Sequence, residues 1–434
     1  MTVAFYTLGC KVNQYETQAL EQLFTGRGHT LVPFEGEADV YIINTCTVTA
    51  VSDKKSRQAV RQARKRSPEA LVAVCGCYPQ THRSDMADLP VDLVAGTGDR
   101  LGFAELVERT WAERRPVTAL DDAMKRRVFE ALPAGGLEGR TRAMLKVEDG
   151  CVNFCTYCII PYARGPVRSL PLASAAAEAE RLAAEGYKEL VLTGIEISSW
   201  GRDLEGRPEL IDLIEAVCAA APDCRIRLGS LEPRTITEEF CRRAAELPNL
   251  CPHFHLSLQS GCDATLKRMN RKYDAGRFME SVGLIWNYFQ NPVPAITADM
   301  IVGFPGETDE EFYESLDFTE RCAFASMHIF PYSKRPGTPA ASMPGQVPKA
   351  VKEERARVAA EAAARMEHSY LEQWDRVTVL FEEERDGLWW GHTRQYCRVG
   401  VRSEENLHNQ LRKVQVTAVK EDSLLGELLN LENE

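Results

Sequence analysis

Apolar and polar positions along the chain divide into three regimes. The first alternates short apolar runs, VAFYTL, DVYIINT and LVAVC, with stretches of helical spacing, one from about Asn13 to Gly26 and a second that is strongly basic. Strand and helix in alternation predict a parallel sheet with helical returns, here an α/β doubly wound parallel-sheet domain over residues 1–125. The second regime begins at about Arg140 with six strand-like runs: AMLKVEDGC, ELVLTGIEIS, RIRLGSLEP, HFHLSLQSG, AITADMIVGFPGE and ASMHIFPYS. Six strands with helical returns predict a partial (β/α)6 barrel over 137–365. After Tyr332 the stretch SKRPGTPAASMPGQVPK reads as a linker, followed by a long helix rich in Ala, Glu and Arg. The third regime, from about Asp375, consists of the β-rich runs RVTVLFEE, LWWGHT, YCRVGV and KVQVTAVK. They predict a small antiparallel β-barrel over 370–434, a shape that often binds oligonucleotides.

This reading places the polar residues. Cys10, Cys46 and Cys77 each end one of the first three strands, and strand ends of an open parallel sheet converge on one crevice. In the second unit, chemistry belongs at the carboxyl ends of the strands. Cys151 follows strand one, Gly194 and Glu196 strand two, Ser230 and Glu232 strand three, and Ser257 and Gln259 strand four. Asp299 lies within strand five, ahead of Gly303 and Gly306.

Composition narrows the classes. At 434 residues the chain needs more than one core, and nothing in it reads as a membrane span or a secretory signal, so a cytoplasmic protein without a membrane partner is expected. A net charge of −11 argues against indiscriminate coating of nucleic acid, and no DNA partner is expected. The terminal unit, Leu371 to Glu434, is itself acidic, with eight basic and thirteen acidic residues. One basic footprint stands out, DKKSRQAVRQARKR from Asp53 to Arg66. Within it Arg57, Arg61, Arg64 and Lys65 are candidate contacts for an RNA backbone, although a solvated helix face would carry the same charges.

Fourteen cysteines in a reducing compartment point to metal or catalytic chemistry where their spacing is regular. Cys151, Cys155 and Cys158 form CxxxCxxC. An iron–sulfur cubane normally takes four thiolates, so three leave one iron open to a small molecule, and S-adenosylmethionine can chelate it. Zinc competes poorly, because a closed structural site needs a fourth ligand and no His or Cys lies within a dozen residues after Cys158. The following loop offers Arg164 and Arg168 for anionic groups. Tyr157, Gly194, Glu196, Ser230, Glu232, Ser257 and Gln259 are the candidate S-adenosylmethionine contacts. Cys75, Cys218, Cys224, Cys241, Cys251, Cys262, Cys322 and Cys397 are scattered and read as small buried apolar residues.

Along nearly its whole length the chain resembles the methylthiotransferase family of radical S-adenosylmethionine enzymes. The motifs are TLGCKVNQYET (Thr7 to Thr17), INTCTVT (Ile43 to Thr49), GCYPQ (Gly76 to Gln80) and GCVNFCTYCIIPYARG (Gly150 to Gly165), in that order. The resemblance implies two [4Fe–4S] clusters, one on Cys151, Cys155 and Cys158 that binds S-adenosylmethionine, and an auxiliary one on Cys10, Cys46 and Cys77 that handles sulfur. It also implies that the final barrel is a TRAM domain. Cys77 follows glycine, as the family ligand does, and Cys75 is a spare or exchangeable ligand. The first motif is similar to the branch acting on N6-threonylcarbamoyladenosine, because Tyr15-Glu16-Thr17 stands where other branches have an Asp-Ser pair. Those branches act on isopentenyladenosine in tRNA or on a ribosomal-protein aspartate, and remain the alternatives. Glu196 departs from the histidine common in the resembled branch. The implied partners are a tRNA anticodon stem-loop and an electron donor such as flavodoxin or ferredoxin.

Overall fold

The structure is a computed structural model that describes residues 1–132 and 140–429. The expected start of the second unit at residue 137 and the chain end at 434 lie outside the described residues.

The first unit is a six-stranded parallel sheet ordered β2-β1-β3-β4-β5-β6. It is made of β1 (Thr2–Thr7), β2 (Thr30–Val32), β3 (Val40–Thr45), β4 (Leu71–Gly76), β5 (Leu93–Ala95) and β6 (Val117–Ala119). The central strands VYIINT and LVAVCG are buried along their whole length, as expected of strands covered on both faces. One face packs on α1 (Lys11–Gly26) and α4 (Arg100–Glu113) through Leu20, Phe24, Phe103 and Val107. The other packs on α2 (Ala50–Arg66) through Ala59, Val60 and Ala63. In α1 the buried apolar positions Val12, Tyr15, Ala19 and Leu20 follow the helical repeat, while Asn13, Glu16 and Thr17 are buried polar residues. Thr49 caps α2 by accepting from Ser52 N, and Arg64, Lys65 and Arg66 occupy its last turn, where the helix dipole favours cations. The strand order reverses between β1 and β3, which makes the mouth above them the topological switch point.

The second unit carries β7 (Arg142–Lys146) and a short antiparallel pair, β8 (Glu148–Asp149) with β9 (Arg168–Ser169). Its further strands are β10 (Glu189–Thr193), β11 (Arg225–Leu228), β12 (Ser230–Leu231), β13 (His253–Gln259), β14 (Ala295–Val302) and β15 (Ser326–Pro331). All but the β8–β9 pair run parallel, and the expected third strand is broken at Gly229. Its first half pairs with β10 and its second half with β13, which opens the partial barrel into two sheets.

The stretch SKRPGTPAASMPGQVPK does not behave as a loose linker. Arg335 is buried and donates to Thr47 Oγ1 and Asp53 Oδ2, both at 2.6 Å, while Ala340 N bonds Thr156 O at 2.9 Å. Its prolines and glycines shape a strap between the first two units.

The third unit is a closed barrel, ordered β16-β17-β18-β20-β19, of β16 (Arg376–Arg385), β17 (Leu388–His392), β18 (Arg398–Val401), β19 (Leu411–Lys420) and β20 (Ser423–Leu428). It is not wholly antiparallel, because β18 and β20 pair in parallel. The cause is the crossing of residues 402–410 to β19, whose hairpin returns β20 alongside β18. The barrel docks at the amino ends of the second unit's strands. Arg225 donates to the carbonyls of His392 and Thr378, and Arg394 donates to those of Pro248 and Leu250. Tyr370 and Leu371 join Ala295 and Ala325 in a shared apolar cluster.

Candidate functional site

The auxiliary trio is assembled by the sheet. Cys10 caps α1 after β1, Cys46 follows β3, and Cys77 opens the short helix α3 (Cys77–Thr81) after β4. Asn13 ties two of these loops together, its Nδ2 donating to Leu8 O at 2.7 Å and Thr45 O at 2.9 Å. Gly9 must be glycine here: its φ is +111° and a Cβ would lie 2.8 Å from Cys46 Cβ. Gly76 is held at φ +101°, and a Cβ there would lie 2.5 Å from Thr45 O. This turn sends Cys75 and Cys77 to different surroundings. Cys75 is buried in the apolar cluster beneath α1 and α4, the place expected of a small core residue. Burial pushes the Cys77 thiol up to about 12, with Arg164 pulling against it and the thiols of Cys46 and Cys10 acting in the same direction as burial.

The second trio lies on one loop. Cys151 N bonds Gly165 O at 3.0 Å, Cys158 N bonds Cys155 O at 2.9 Å, and Thr156 N bonds Met269 O at 3.0 Å. Arg271 brings a guanidinium 3.2 Å from Cys155 Sγ, a placement suited to a thiolate or an anionic cluster. Burial pushes the Cys158 thiol up to about 12 and raises that of Cys151 as well. Among the described residues, the ligand atoms of neither trio lie mutually within 4.8 Å. The thiols of each trio nonetheless act on one another, Cys46 and Cys10 on Cys77, and Cys158 and Cys155 on Cys151, so each set gathers three soft sulfur donors of the kind an iron–sulfur cluster takes.

The candidate S-adenosylmethionine contacts scatter in their surroundings. Glu196 is half-buried and accepts from Ser199 Oγ at 2.6 Å, Ser198 N at 3.0 Å and Asn153 Nδ2 at 3.4 Å, beside the Cys151 loop. Burial raises its carboxyl above the usual range. Gly194 packs against Glu148, whose Oε2 would lie 2.8 Å from a Cβ at that position. Tyr157 is half-buried with its ring edge-on to Phe304. Glu232 is buried and paired with Arg234 at 2.8 Å, Ser230 is exposed, and Ser257 is half-buried, its carbonyl accepting from Arg271 and Tyr273. Gln259 ends β13 at φ +67°. Two buried or partnered groups that the sequence did not single out stand here, Arg271 and Glu148. Glu148 Oε2 accepts from Glu196 N at 2.7 Å, and burial holds its carboxyl well above the ordinary value. Arg271 closes the basic run LKRMNR (Leu266 to Arg271), whose charges look like those of any exposed turn until Cys155 folds against it.

Arg164 and Arg168 do not await an anion. Arg164 is fully buried, ion-paired with Glu16, and donates to Asn13 Oδ1 at 2.6 Å. Arg168 pairs with Asp149 at 3.3 Å and donates to two backbone carbonyls. Glu16 also meets Arg100 at 2.7 Å and Lys146 at 3.3 Å, so one buried network joins the two units behind both trios. Burial opposes ionisation of Glu16, yet Arg100, Arg164 and Lys146 hold its carboxyl well below the usual range.

The basic helix is divided in the same way. Arg64 donates to Pro68 O and Ala70 O and pairs with Asp92 at 2.5 Å, a structural role in place of an RNA contact. Arg57 donates to Tyr78 Oη at 2.8 Å, whereas Arg61 and Lys65 are exposed. A cavity of about 530 Å³ lined by Thr2, Asp39, Arg66 and Trp111 opens at the amino edge of the first sheet, the end opposite the cysteines.

Residues 2–96 match the family described as Uncharacterized protein family UPF0004, and residues 145–319 match the Radical SAM superfamily. The chain is 40% identical to the threonylcarbamoyladenosine tRNA methylthiotransferase MtaB of Bacillus subtilis, covering 96% of this chain and 93% of that protein. It is 34% identical to the tRNA-2-methylthio-N(6)-dimethylallyladenosine synthase of Alkaliphilus oremlandii, covering 98% and 92%. Among solved structures, the radical S-adenosylmethionine methyltransferase TsrM of Kitasatospora setae shares the fold at a TM-score of 0.57 and 15% identity, over 78% of this chain and 74% of that one. Two cysteine trios on a parallel sheet and a partial barrel, with relatives aligned over nearly the whole length, lead to one conclusion: the chain belongs to the methylthiotransferase family of radical S-adenosylmethionine enzymes, which work with [4Fe–4S] clusters.

Proposed function

We propose that this enzyme methylthiolates C2 of N6-threonylcarbamoyladenosine beside the anticodon of tRNA. The observation that carries the reading is the pair of three-thiol sites, each one thiolate short of a closed cluster, fixed on two units by one buried ion network. Bound at Cys151, Cys155 and Cys158, a [4Fe–4S] cluster supplies the electron that cleaves S-adenosylmethionine, taken from a donor of the flavodoxin or ferredoxin kind. Cys10, Cys46 and Cys77 are the ligands of the auxiliary cluster in this reading. Arg271 steadies Cys155, and Asn13 fixes the Cys10 and Cys46 loops relative to Arg164. Glu196 stands beside the Cys151 loop through Asn153, and Gly194 leaves room for the Glu148 side chain that accepts from Glu196 N. Exposed Arg61 and Lys65 are the footprint left for the RNA backbone. The target base of an anticodon loop is unpaired, so presenting it costs less than opening a duplex. Among the described residues no helix is long and apolar enough to cross a membrane.

The test is anaerobic. Reconstituted enzyme, a reductant and S-adenosylmethionine are incubated with stem-loops bearing threonylcarbamoyladenosine or isopentenyladenosine, and released nucleosides are weighed by mass spectrometry. A methylthio increment on the first nucleoside supports the assignment; an increment confined to the second reassigns the substrate.

A further inference from the structure

Charged side chains facing the partial barrel are largely spent on one another. Arg227 holds Glu189 through Nε and Nη2 at 2.7 and 2.9 Å, Arg142 pairs with Glu382 at 2.7 Å, and Asp299 is shared by His255 and His328 at 3.4 and 3.2 Å. Lys11 differs. It is the first residue of α1, directly after Cys10, its side chain is exposed, and among the described residues it makes no hydrogen bond, ion pair or ring contact. Lys11 lies one and two helical turns before Tyr15 and Ala19, on the face of α1 that packs against Met144 of β7 in the neighbouring unit. A cation of the first unit thus stands unpaired at the barrel of the second, beside an expected auxiliary ligand. The open first turn of α1, whose N–H groups receive no cap from the Cys10 side chain, adds to the positive potential there.

We propose that Lys11 reads the carboxylate on the N6 substituent of the target adenosine and so selects threonylcarbamoyladenosine over isopentenyladenosine. This rests on the function proposed above. C2 and C6, the carbon that carries the exocyclic N6, belong to the same six-membered ring, so an adenine whose C2 meets the auxiliary site brings its N6 substituent close to the residues flanking Cys10. A threonylcarbamoyl group ends in a carboxylate, which an unpaired ammonium attracts. An isopentenyl group is hydrocarbon and would strip that ammonium of water without replacing it. The same residue therefore favours one substrate and penalises the other.

The test compares two anticodon stem-loops, one with the free threonine carboxylate and one with its methyl ester, on full-length enzyme with iron and sulfide content matched between variants. The wild type is expected to prefer the acid in kcat/KM by about ten- to a hundredfold, the range of a hydrogen bond to a charged group. Lys11→Met should bring that ratio near one, chiefly by raising KM for the acid, and Lys11→Arg should restore most of it. An undiminished ratio in Lys11→Met, a wild type without preference, or a Lys11→Arg that behaves like Lys11→Met overturns the assignment. A wild type that releases 5′-deoxyadenosine but modifies neither loop overturns the proposed function itself, and the role of Lys11 with it, a failure distinct from the others.

Discussion

Cys151, Cys155 and Cys158 share one loop, whereas Cys10, Cys46 and Cys77 stand at the ends of three strands of one sheet. The first trio is local in sequence and is held from outside, by Arg271 on Cys155 and by Met269 on Thr156. The second is distant in sequence and is held from within, by Asn13 across two loops and by the left-handed turn at Gly76. A lesion of the sheet should therefore empty the auxiliary site alone, while the radical site answers to its own loop and to the strand ends around it.

The largest effect is expected from Cys155→Ala, which takes one of only three thiolates from the radical site. It should abolish release of 5′-deoxyadenosine and methylthio product together, read by chromatography of the reaction mixture.

Next comes Glu16→Gln. It leaves Arg100, Arg164 and Lys146 buried without their shared counter-charge, a change that costs about 3–5 kcal/mol. Denaturant unfolding should show the loss, and both sites should suffer, because the network lies behind both.

Gly76→Ala should cost less, about 1–3 kcal/mol for a strained left-handed residue. It sharpens the comparison: iron analysis should show loss from the auxiliary site while 5′-deoxyadenosine release persists.

Acid provides a graded test of the same interface. Burial would raise the Asp149 carboxyl, but Lys146, Arg164 and Arg168 hold it at about 2, below its ordinary 3.8. Its contribution to stability is present above the ordinary value and is lost as pH falls from there through about 2. Glu16 shifts in the same direction, so thermal melts should fall more steeply with acid in the wild type than in Asp149→Asn.

The smallest effect concerns His328. Its hydrogen bond to Asp299 raises its pKa above 6.5 despite burial, and the stability this lends is complete below 6.5 and lost as pH rises through the elevated value. Its side chain is 66% exposed, so solvent keeps the gain small, and an NMR titration of the imidazole measures it directly.

Much of this was readable from sequence, for physical reasons that differ by region. CxxxCxxC is visible because its chemistry needs close spacing, and β3 and β4 are visible because fully buried strands are continuously apolar. The fates of Arg164, Arg168 and Arg64 were not visible. A buried arginine and a phosphate-binding arginine look alike until the partners Glu16, Asp149 and Asp92 fold against them from other segments. The strap around Arg335 was misread for a related reason, since proline and glycine mark turns whether the segment is loose or packed. Cys75 and Cys77 differ by two positions, and only the turn at Gly76 separates core from site.

The central claim is that one trio serves the radical and the other serves sulfur. The most direct measurement follows 5′-deoxyadenosine and methylthio nucleoside in parallel for Cys10→Ala, Cys46→Ala and Cys77→Ala combined in one chain. The account predicts that 5′-deoxyadenosine is still formed and that no methylthio nucleoside appears. Methylthio product from that variant would contradict it.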